Sequence, residues 1–439
     1  MSSPRSLSAA ILLLVVCFDC WCGITESEYR ARRVNLLREL DSSSACAFKA
    51  IDARMRSNDV QYRYRQESNL LYLTGISRPG FALFVCTRGV QVNGQVSPLV
   101  LFCQSDLAAE LRTAGTFSDG LVVDYGRFAE IFAAVAGYVR TLYVSAPDIH
   151  FTDDWLEDKQ IFLDADARKS LQDKNPGLKV KNAAPVIARL RQYKSAAEIE
   201  EIREAIRITG DGLRYAMGIC RPGVMEYELQ AAVEYEIVRQ GAEYESFPSI
   251  VGSGPNSLIP HYIDNRRKIL DGDVIVLDVG AECGGYAADI SRTIPATGKF
   301  SSGQREIYLA VLKAQSEVIN MVAPGVPWSA LDSRARAVLA REGFANRMGH
   351  GVSHHLGLDV HDTVPMDTLR AGMVITVEPG VYIPETDTSF APAYRGIGVR
   401  IEDDVLVGEK GPIVLSKDIP KEIETIERLV GGGTPRQGN

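Results

Sequence analysis

The second half of this 439-residue chain contains an internal repeat. The stretches RPGVMEYELQAAVEYEIVRQGAE and APGVPWSALDSRARAVLAREGF both place a leucine seven residues after the proline and a glycine nineteen residues after it. The two glycines, Gly241 and Gly343, suit left-handed helix ends, and each copy then leads to an apolar strand, GDVIVLDVG or GMVITVEPG. A helix-and-strand unit that occurs twice predicts two similar halves related by a pseudo-two-fold axis.

Acidic residues occupy matching places in the two copies. Asp278 in the first strand aligns with Glu378 in the second, and Asp289 in YAADIS and Glu402 in GVRIEDD follow at roughly corresponding positions. If the strands on either side of AECGG pair as a hairpin, Asp278 and Asp289 face each other across it and project from one face. Buried carboxylates repel each other unless a cation or a shared proton compensates, so the pattern indicates a metal site between the copies.

Five of the six histidines lie in two short segments, HGVSHHLGLDVH and HYIDN. A single aspartate at a strand end is usually a turn residue, and a single buried histidine usually belongs to the core. Five histidines beside duplicated acids are much harder to explain in that way. In GVRIEDDV the strand period places Arg400, Glu402 and Asp404 on one face, so Glu402 is the inward acid and Arg400 is predicted to orient it.

The composition of this set indicates the metal and the reaction. Four carboxylates and one imidazole are rich in oxygen, which favours Mn, Fe or Co over a structural zinc. Several bridging acids predict two ions about 3.5 to 4 Å apart. Such ions would hold a hydroxide between them and polarise a carbonyl, so hydrolysis of an amide is the expected reaction class.

The first half of the chain has a different pattern. Short apolar runs (ALFVC, LVLFC, LYVSA, IFLDA) alternate with polar or helical stretches, which predicts a small α/β domain over residues 25–185. A connector with Pro, Gly and Asn then leads into a long amphipathic helix, with Ser195 as the candidate N-cap and Ile199, Ile202 and Ile206 at helical spacing. The second domain is placed at residues 186–439.

Residues 1–24 have the pattern of a signal peptide. Arg5 precedes an apolar run over residues 9–18, which is too short to span a bilayer. We therefore expect export, periplasmic or secreted, with an uncleaved membrane anchor as the alternative. The net charge of −8 argues against nucleic acid and anionic membranes as partners. The five later cysteines lack CxxC spacing, so buried free thiols are expected, with a Cys86–Cys103 disulfide as the alternative.

Several longer motifs resemble the proline-specific metallopeptidases of the pita-bread fold, and most of all aminopeptidase P (Xaa-Pro aminopeptidase). They are VGSGPN followed by His261, LDVG with GYAADISRT, HGVSHHLGLDVH, TVEPGVY and YRGIGVRIEDD. In the first half, YRYRQESNLLYLTG is similar to that family's N-terminal domain. The resemblance implies an α/β N-terminal domain followed by an α+β pita-bread domain with internal pseudo-two-fold duplication.

The resemblance also implies a ligand set for two divalent ions, in which Asp289 and Glu402 bridge the pair. Mn²⁺ is the expected metal, and Co, Fe and Zn are the alternatives. Arg400 would orient a metal-binding acid, and Tyr382 would lie behind the ligands. The implied ligands are Asp278, Asp289, His354, Glu378 and Glu402.

By the same resemblance, Glu378 would take a proton from the attacking water and pass it to the leaving proline nitrogen. His350 and His361 would hydrogen-bond the scissile or neighbouring carbonyl, and His261 would line the side that holds proline. His355 departs from the pattern, because many relatives carry a large aromatic residue there, and we expect it to be a packing or surface residue.

The expected activity is hydrolysis of the bond between an N-terminal residue and a following proline, with a proline-containing peptide as substrate. A prolidase that accepts only Xaa-Pro dipeptides is the alternative, and a non-catalytic pita-bread binding module is the alternative from another class. The family's tryptophan and arginine cluster in the first domain is replaced here by QSDLAAELRTAGTFSDG, with only Arg112. Homo-oligomeric assembly is expected from the resemblance, but this loop leaves the subunit arrangement open.

Overall fold

The computed structural model of the chain describes residues 23–144, 165–362 and 367–432. The predicted signal segment therefore lies almost entirely outside the described residues, and so does most of the predicted strand IFLDA. Within the described ranges, no helix is both long enough and apolar enough to cross a membrane.

A six-stranded mixed sheet forms the centre of the first domain. The domain has eight described strands, six of which form this sheet: β1 (Ser44–Lys49), β2 (Met55–Ser57), β3 (Val60–Gln61), β4 (Phe81–Val92), β5 (Gln95–Cys103), β6 (Leu121–Asp124), β7 (Thr141–Val144) and β8 (Lys179–Asn182). The sheet has the order β6-β5-β4-β1-β7-β8, and β2 and β3 form a separate hairpin. The helices are α1 (Glu26–Glu39), α2 (Ser68–Thr74), α3 (Ser105–Ala114), α4 (Phe128–Ala136) and α5 (Ala165–Lys174). The next helix, α6 (Ala184–Arg191), spans the predicted boundary between the two domains.

The second domain packs two helix pairs behind short antiparallel sheets. Its helices are α7 (Ala196–Ile219), α8 (Glu226–Arg239), α9 (Ser302–Met321), α10 (Trp328–Arg341) and α11 (Ile423–Leu429). The strands of the first half are β9 (Tyr244–Glu245), β10 (Ile250–Ser253), β11 (Val274–Val279), β12 (Ala281–Cys283), β13 (Tyr286–Ala287) and β14 (Ile290–Pro295). Those of the second half are β15 (Val374–Val377), β16 (Gly380–Ile383), β17 (Ile397–Arg400), β18 (Asp403–Gly408) and β19 (Gly411–Val414).

The internal repeat of the sequence is a structural duplication. The helix pair α7 and α8 precedes β11 in the first copy, and the pair α9 and α10 precedes β15 in the second. Gly241 and Gly343 both follow the second helix of a pair, with φ of 87° and 93°, as left-handed helix ends require. Each copy therefore brings its central strand to the same place relative to its two helices.

The long helix α7 begins where the sequence predicts it. Ser195 accepts a hydrogen bond from the backbone N–H of Glu198, and the Glu198 side chain accepts one from the backbone N–H of Ser195. This capping box satisfies two of the amide groups that every helix start leaves without partners. Ile202 and Ile206 are buried and Ile199 packs at the edge of the same core, so the predicted apolar face is confirmed.

The predicted register of the aspartate hairpin was wrong. β11 and β14 do pair antiparallel, but Asp278 lies opposite Ser291 rather than opposite Asp289. The turn is centred on Gly284 and Gly285, both at positive φ, and not one residue earlier as a symmetric reading of AECGG suggests. Asp289 keeps the same strand parity as Ser291, so it remains on the face of Asp278 as a diagonal neighbour.

Charged side chains join the two domains. The Arg32 guanidinium of α1 donates to the hydroxyl of Tyr286 at 3.4 Å and lies 3.5 Å from the Glu198 carboxylate of α7. The Arg65 guanidinium lies 3.0 Å from Glu282 in β12. The five cysteines of the described residues are free and buried, as expected.

Gly280, between β11 and β12, is packed too closely for any side chain. A Cβ atom there would lie 1.9 Å from the carbonyl oxygen of Ala288 and 2.8 Å from the hydroxyl of Ser246. We expect Gly280→Ala to lower the free energy of unfolding by about 1–3 kcal/mol, because the strands of the aspartate hairpin must separate. Gly349→Ala is the control, since a Cβ at Gly349 meets nothing within 4 Å. Equal thermal midpoints for the two variants would contradict the close contact.

Candidate metal centre

Backbone pairing places His354 beside Glu378. The amide of Thr376 donates to the carbonyl of His354 at 2.9 Å, and the amide of Glu378 donates to the carbonyl of Val352 at 2.9 Å. The histidine segment therefore runs antiparallel along β15, and Nε2 of His354 lies 3.6 Å from Oε1 of Glu378. This short ladder brings together two residues that lie more than twenty positions apart in the sequence.

The acids of both copies converge on the same imidazole. Nε2 of His354 lies 3.4 Å from Oδ2 of Asp289. The ligand atoms offered by Asp289, His354 and Glu402 all lie within 4.8 Å of one another. Asp289 precedes β14 and Glu402 lies between β17 and β18, so one acid comes from each half of the duplication. The sequence-predicted ligands of both copies therefore meet between the halves.

The electrostatics of the cluster follow from burial and mutual repulsion. Burial raises the pKa of Asp289 well above its ordinary value, and the nearby Asp278 and Glu378 raise it further. Burial likewise raises the pKa of Glu402, with Asp289 as the largest contribution among its neighbours. For Glu378, burial outweighs the opposing effects of His354 and Arg400 and raises the pKa to about 7. These carboxylates cannot all be ionised together without added positive charge.

Unpaired oxygen atoms show that a divalent cation fits this site. Oδ1 of Asp278 and Oε1 of Glu402 are buried and accept no hydrogen bond from any described residue. Such acceptors are costly in an interior unless they find a partner, and a cation is one. Carboxylate oxygens with one imidazole nitrogen are suitable ligands for Mn²⁺, Fe²⁺ or Co²⁺. The residues present therefore fit a divalent metal.

Arg400 binds one of the acids directly and a second one through a serine. Its guanidinium is buried and donates to Oδ2 of Asp278 at 2.6 Å, to the hydroxyl of Ser291 at 2.8 Å and to the hydroxyl of Tyr382 at 2.9 Å. Ser291 in turn donates to Oε2 of Glu402 at 2.9 Å. The sequence reasoning missed Ser291, although its position two residues after Asp289 puts both on one strand face. It links Arg400 to a predicted bridging ligand.

The histidines lie on the side of the acid cluster that is partly open to solvent, where Glu378, His350 and His354 are 15–20% exposed. We call this open side the cleft. His350 Nδ1 lies 3.6 Å from Oε2 of Glu378, and the His361 ring centroid lies 4.2 Å from that of His354. Burial and the charge of Arg400 lower the pKa of His350 to about 4. Burial, together with His354 and His261, lowers the pKa of His361 to about 4. Both imidazoles are thus neutral at physiological pH.

The two rings differ in their hydrogen bonds. His350 Nδ1 donates to the carbonyl of Gly351 at 2.8 Å, and its Nε2 is 2.9 Å from the hydroxyl of Tyr382. His361 is exposed to the cleft, and its ring makes no hydrogen bond to another described residue. His261 is also exposed, and the carbonyl of the preceding Pro260 accepts a hydrogen bond from Arg400.

His355 packs in the core and points away from the site. Its side chain is buried, and its ring lies 4.7 Å from the ring of Trp328 in α10. The adjacent His354 faces the acids, so the alternation expected of an extended segment holds. Of the two alternatives for His355, the packing residue is confirmed.

Comparisons with known proteins agree with this geometry. The family model described as "Metallopeptidase family M24" matches residues 200–409, and that of "Aminopeptidase P, N-terminal domain" matches residues 29–113. The chain is 34% identical to the Xaa-Pro aminopeptidase of Escherichia coli over 93% of this chain and 98% of the relative. It is 32% identical to that of Haemophilus influenzae over the same shares of the two chains. The chain belongs to the Xaa-Pro aminopeptidases of family M24.

Solved structures place the enzyme in the same fold. Aminopeptidase P of Escherichia coli with the inhibitor Pro-Leu matches with a TM-score of 0.80 and 30% identity, covering 92% of this chain and 98% of that one. Aminopeptidase PepP of Pseudomonas aeruginosa matches with the same values. The predicted architecture, an N-terminal α/β domain before a pita-bread domain, is confirmed. The enzyme is a metalloexopeptidase, so the hypothesis of a non-catalytic binding module is wrong.

The carboxylate cluster predicts how pH and metal affect stability. In the metal-free enzyme the raised pKa values mean that the folded state holds protons that the unfolded chain has released. Stability that is present below the ordinary carboxylate pKa is therefore lost as pH rises to about 7 for Glu378. The raised pKa values of Asp289 and Glu402 act in the same direction. We expect the thermal midpoint of the metal-free enzyme to fall between about pH 5 and pH 8.

Added Mn²⁺ should raise that midpoint more at the higher pH, because metal ligands must be deprotonated. Glu402→Ala removes a predicted ligand and should lose most of this gain, while Glu409→Ala, at an exposed position on the β18–β19 turn, should keep it. Scanning calorimetry with and without Mn²⁺ measures both effects. A midpoint at the higher pH that does not respond to Mn²⁺ would exclude metal binding here.

Proposed function

We propose that the enzyme uses two divalent ions to hydrolyse the bond between an N-terminal residue and a following proline, in peptides longer than a dipeptide. The observation that carries this proposal is the convergence of Asp289, Glu378 and Glu402 on His354. His350 and His361 lie beside this cluster. The relatives that match nearly the full length are named Xaa-Pro aminopeptidases. That name supports the choice of substrate.

Two ions, rather than one, would balance the acids. Asp289 and Glu402 would bridge the ions, and Asp278, His354 and Glu378 would complete the set. Oxygen ligands dominate, which favours Mn²⁺, with Co, Fe and Zn as alternatives. When bound, such ions lower the pKa of a water molecule and polarise the scissile carbonyl.

Glu378 is placed to move the proton. Its carboxylate is 18% exposed on the side chain and lies between His350 and His354, so it borders the cleft rather than being sealed behind it. A proline nitrogen must gain a proton to leave as an amine, and a carboxylate that first accepts a proton from water can supply it. We therefore assign Glu378 as both proton acceptor and donor.

His361 is proposed to donate to a carbonyl of the substrate. Its neutral ring carries one N–H group and faces the cleft, and no described residue occupies its nitrogens. A donor that meets an oxygen as negative charge develops there stabilises the transition state. His350 would also help to bind the substrate carbonyl. Its ring is held in place by Tyr382, which in turn accepts a hydrogen bond from Arg400.

His261 is proposed to line the pocket for proline. Its loop also exposes Ile259 and Ile263, with 51% and 47% of their surface accessible. Exposed apolar side chains beside a polar cleft offer a surface for a pyrrolidine ring.

The substrate assignment is tested with two peptides. We expect the Mn²⁺-loaded enzyme to release the N-terminal residue from a tripeptide Xaa-Pro-Yaa, as followed by mass spectrometry. Cleavage of the dipeptide Xaa-Pro alone would instead establish the prolidase alternative. Xaa-Ala-Yaa is the control for proline specificity, and Glu378→Gln is the control for a contaminating peptidase. Turnover of neither proline peptide by metal-loaded enzyme would overturn the proposed function.

We also propose that the enzyme is exported and assembles as a homo-oligomer. Export is supported by Arg5 followed by the short apolar run over residues 9–18, and assembly by the resemblance to aminopeptidase P.

The export proposal has a direct measurement. Expression of the full chain in a host with a general secretion pathway should yield, in the exported fraction, a protein whose first residue lies near residue 24, as read by N-terminal sequencing. Replacing several leucines of the apolar run by serine should abolish this processing, because the targeting segment must be apolar. A full-length protein confined to the cytosol would contradict export.

A further inference from the structure

A network of charged side chains lies on both sides of His361 along the backbone; it is buried except at Asp359, whose side chain is 41% exposed. The Arg191 side chain, at the end of α6, is only 5% exposed and donates to Oδ2 of Asp359 at 2.8 Å and to the carboxylate of Asp362. Lys194 lies 2.9 Å from Oδ2 of Asp362, and both side chains are 1% exposed. Asp359 lies two residues before His361 and Asp362 directly follows it, so two cations hold the acids that flank the histidine.

The first domain reaches into the same network. The hydroxyl of Ser68 donates to Oδ1 of Asp359 at 2.7 Å, and Oδ1 of Asn69 accepts from Arg191 at 2.8 Å. Ser68 and Asn69 form the first turn of α2, whose amide groups are capped by the Glu67 carboxylate. The proposed metal ligands all lie in the second domain. This network is therefore a path by which the first domain touches the catalytic segment.

The loop that carries His361 depends on these anchors. The amide of Asp362 donates to the carbonyl of His355 at 3.0 Å, which closes residues 355–362 into a compact turn beside β15. The His361 ring makes no hydrogen bond to another described residue, so its direction is set by the backbone that bears it. An error of about 1 Å in such a group can cost a hundredfold in rate.

The cations of the network keep Asp362 ionised. Asp362 is buried, which opposes its ionisation, but the guanidinium of Arg191 and the ammonium of Lys194 lower its pKa below the ordinary value. Removing one partner of a buried, hydrogen-bonded charge leaves the other without compensation, and the loop must then move to find water. A network of this kind fixes geometry more firmly than a surface ion pair.

We infer that Arg191 is a positioning residue for His361, and that through Ser68 and Asn69 the first domain holds this histidine in its catalytic place. The inference rests on the proposed function of His361. It predicts that substitutions remote from the metal centre reduce the chemical step while leaving metal binding intact.

A double-mutant cycle tests the inference on the full-length Mn²⁺ enzyme with Xaa-Pro-Yaa. Arg191→Lys keeps the charge but cannot reach its three acceptors in fork geometry. We expect kcat to fall by about 10- to 100-fold, with KM changed by less than about threefold and metal content unchanged. In a His361→Ala background, Arg191→Lys should lower kcat little further, because the residue that it positions is gone.

Controls separate this role from general stability. Arg189→Lys, on the exposed side of the same helix, should leave kcat and the thermal midpoint unchanged. Ser68→Ala removes a single hydrogen bond and should give a smaller loss of kcat that is also absent in the His361→Ala background. If Arg191→Lys does not fold, the same double-mutant cycle can be run with Ser68→Ala in its place.

The outcomes are distinguishable. If the effects of Arg191→Lys and His361→Ala multiply, or if Arg191→Lys loses metal, Arg191 supports the fold in general and the inference is wrong. Wild-type enzyme that fails to cleave Xaa-Pro-Yaa would instead overturn the proposed function, and with it the role assigned to His361.

Discussion

The repulsion among four carboxylates at the junction of two similar halves is the constraint on which this enzyme depends. Asp278, Asp289 and Glu402 are buried, and Glu378 borders the cleft. Arg400 supplies one positive charge to the group, and two acidic oxygens still lack a hydrogen-bond donor among the described residues. A chain that folds this way must bind cations or hold protons there. The requirement makes metal binding part of the stability of the domain as well as of its chemistry.

Duplication explains how the acids come together. Each copy brings two helices and a central strand, and the strand delivers an acid to its end, Asp278 in one half and Glu378 in the other. A pseudo-two-fold arrangement directs both strand ends to the same junction. In the second copy, the histidine segment also pairs with β15, and this backbone pairing places His354 beside Glu378. Both copies therefore supply acids to the site, whereas the imidazole of His354 comes from the second copy alone.

The first domain is in direct contact with the second domain, including the segment that carries His361. It contacts the second domain through Arg32 of α1 and through Arg65 in the loop before α2. Ser68 and Asn69 of α2 bind the Arg191 network. This network ends on the residues that flank His361. The sequence predicts the α/β fold of this domain and an altered loop with Arg112 that leaves the subunit arrangement open, but no contact of the domain with the site. In the structure, Ser68 and Asn69 give the domain hydrogen bonds to Asp359 and to Arg191, beside the proposed carbonyl donor.

Features with a local or repeating signal could be predicted from the chain alone: the duplication, the capped start of α7, the acids at strand ends and the face of Arg400 and Glu402. Each of these features follows from a periodic pattern in the sequence or from a hydrogen bond between residues that are close neighbours along the chain. Tertiary structure alone decided the hairpin register about Gly284 and Gly285, the link through Ser291, and the contact of Arg191 with Asp362 across 171 residues. Such contacts leave no periodic trace, because they depend on where separate elements meet in space.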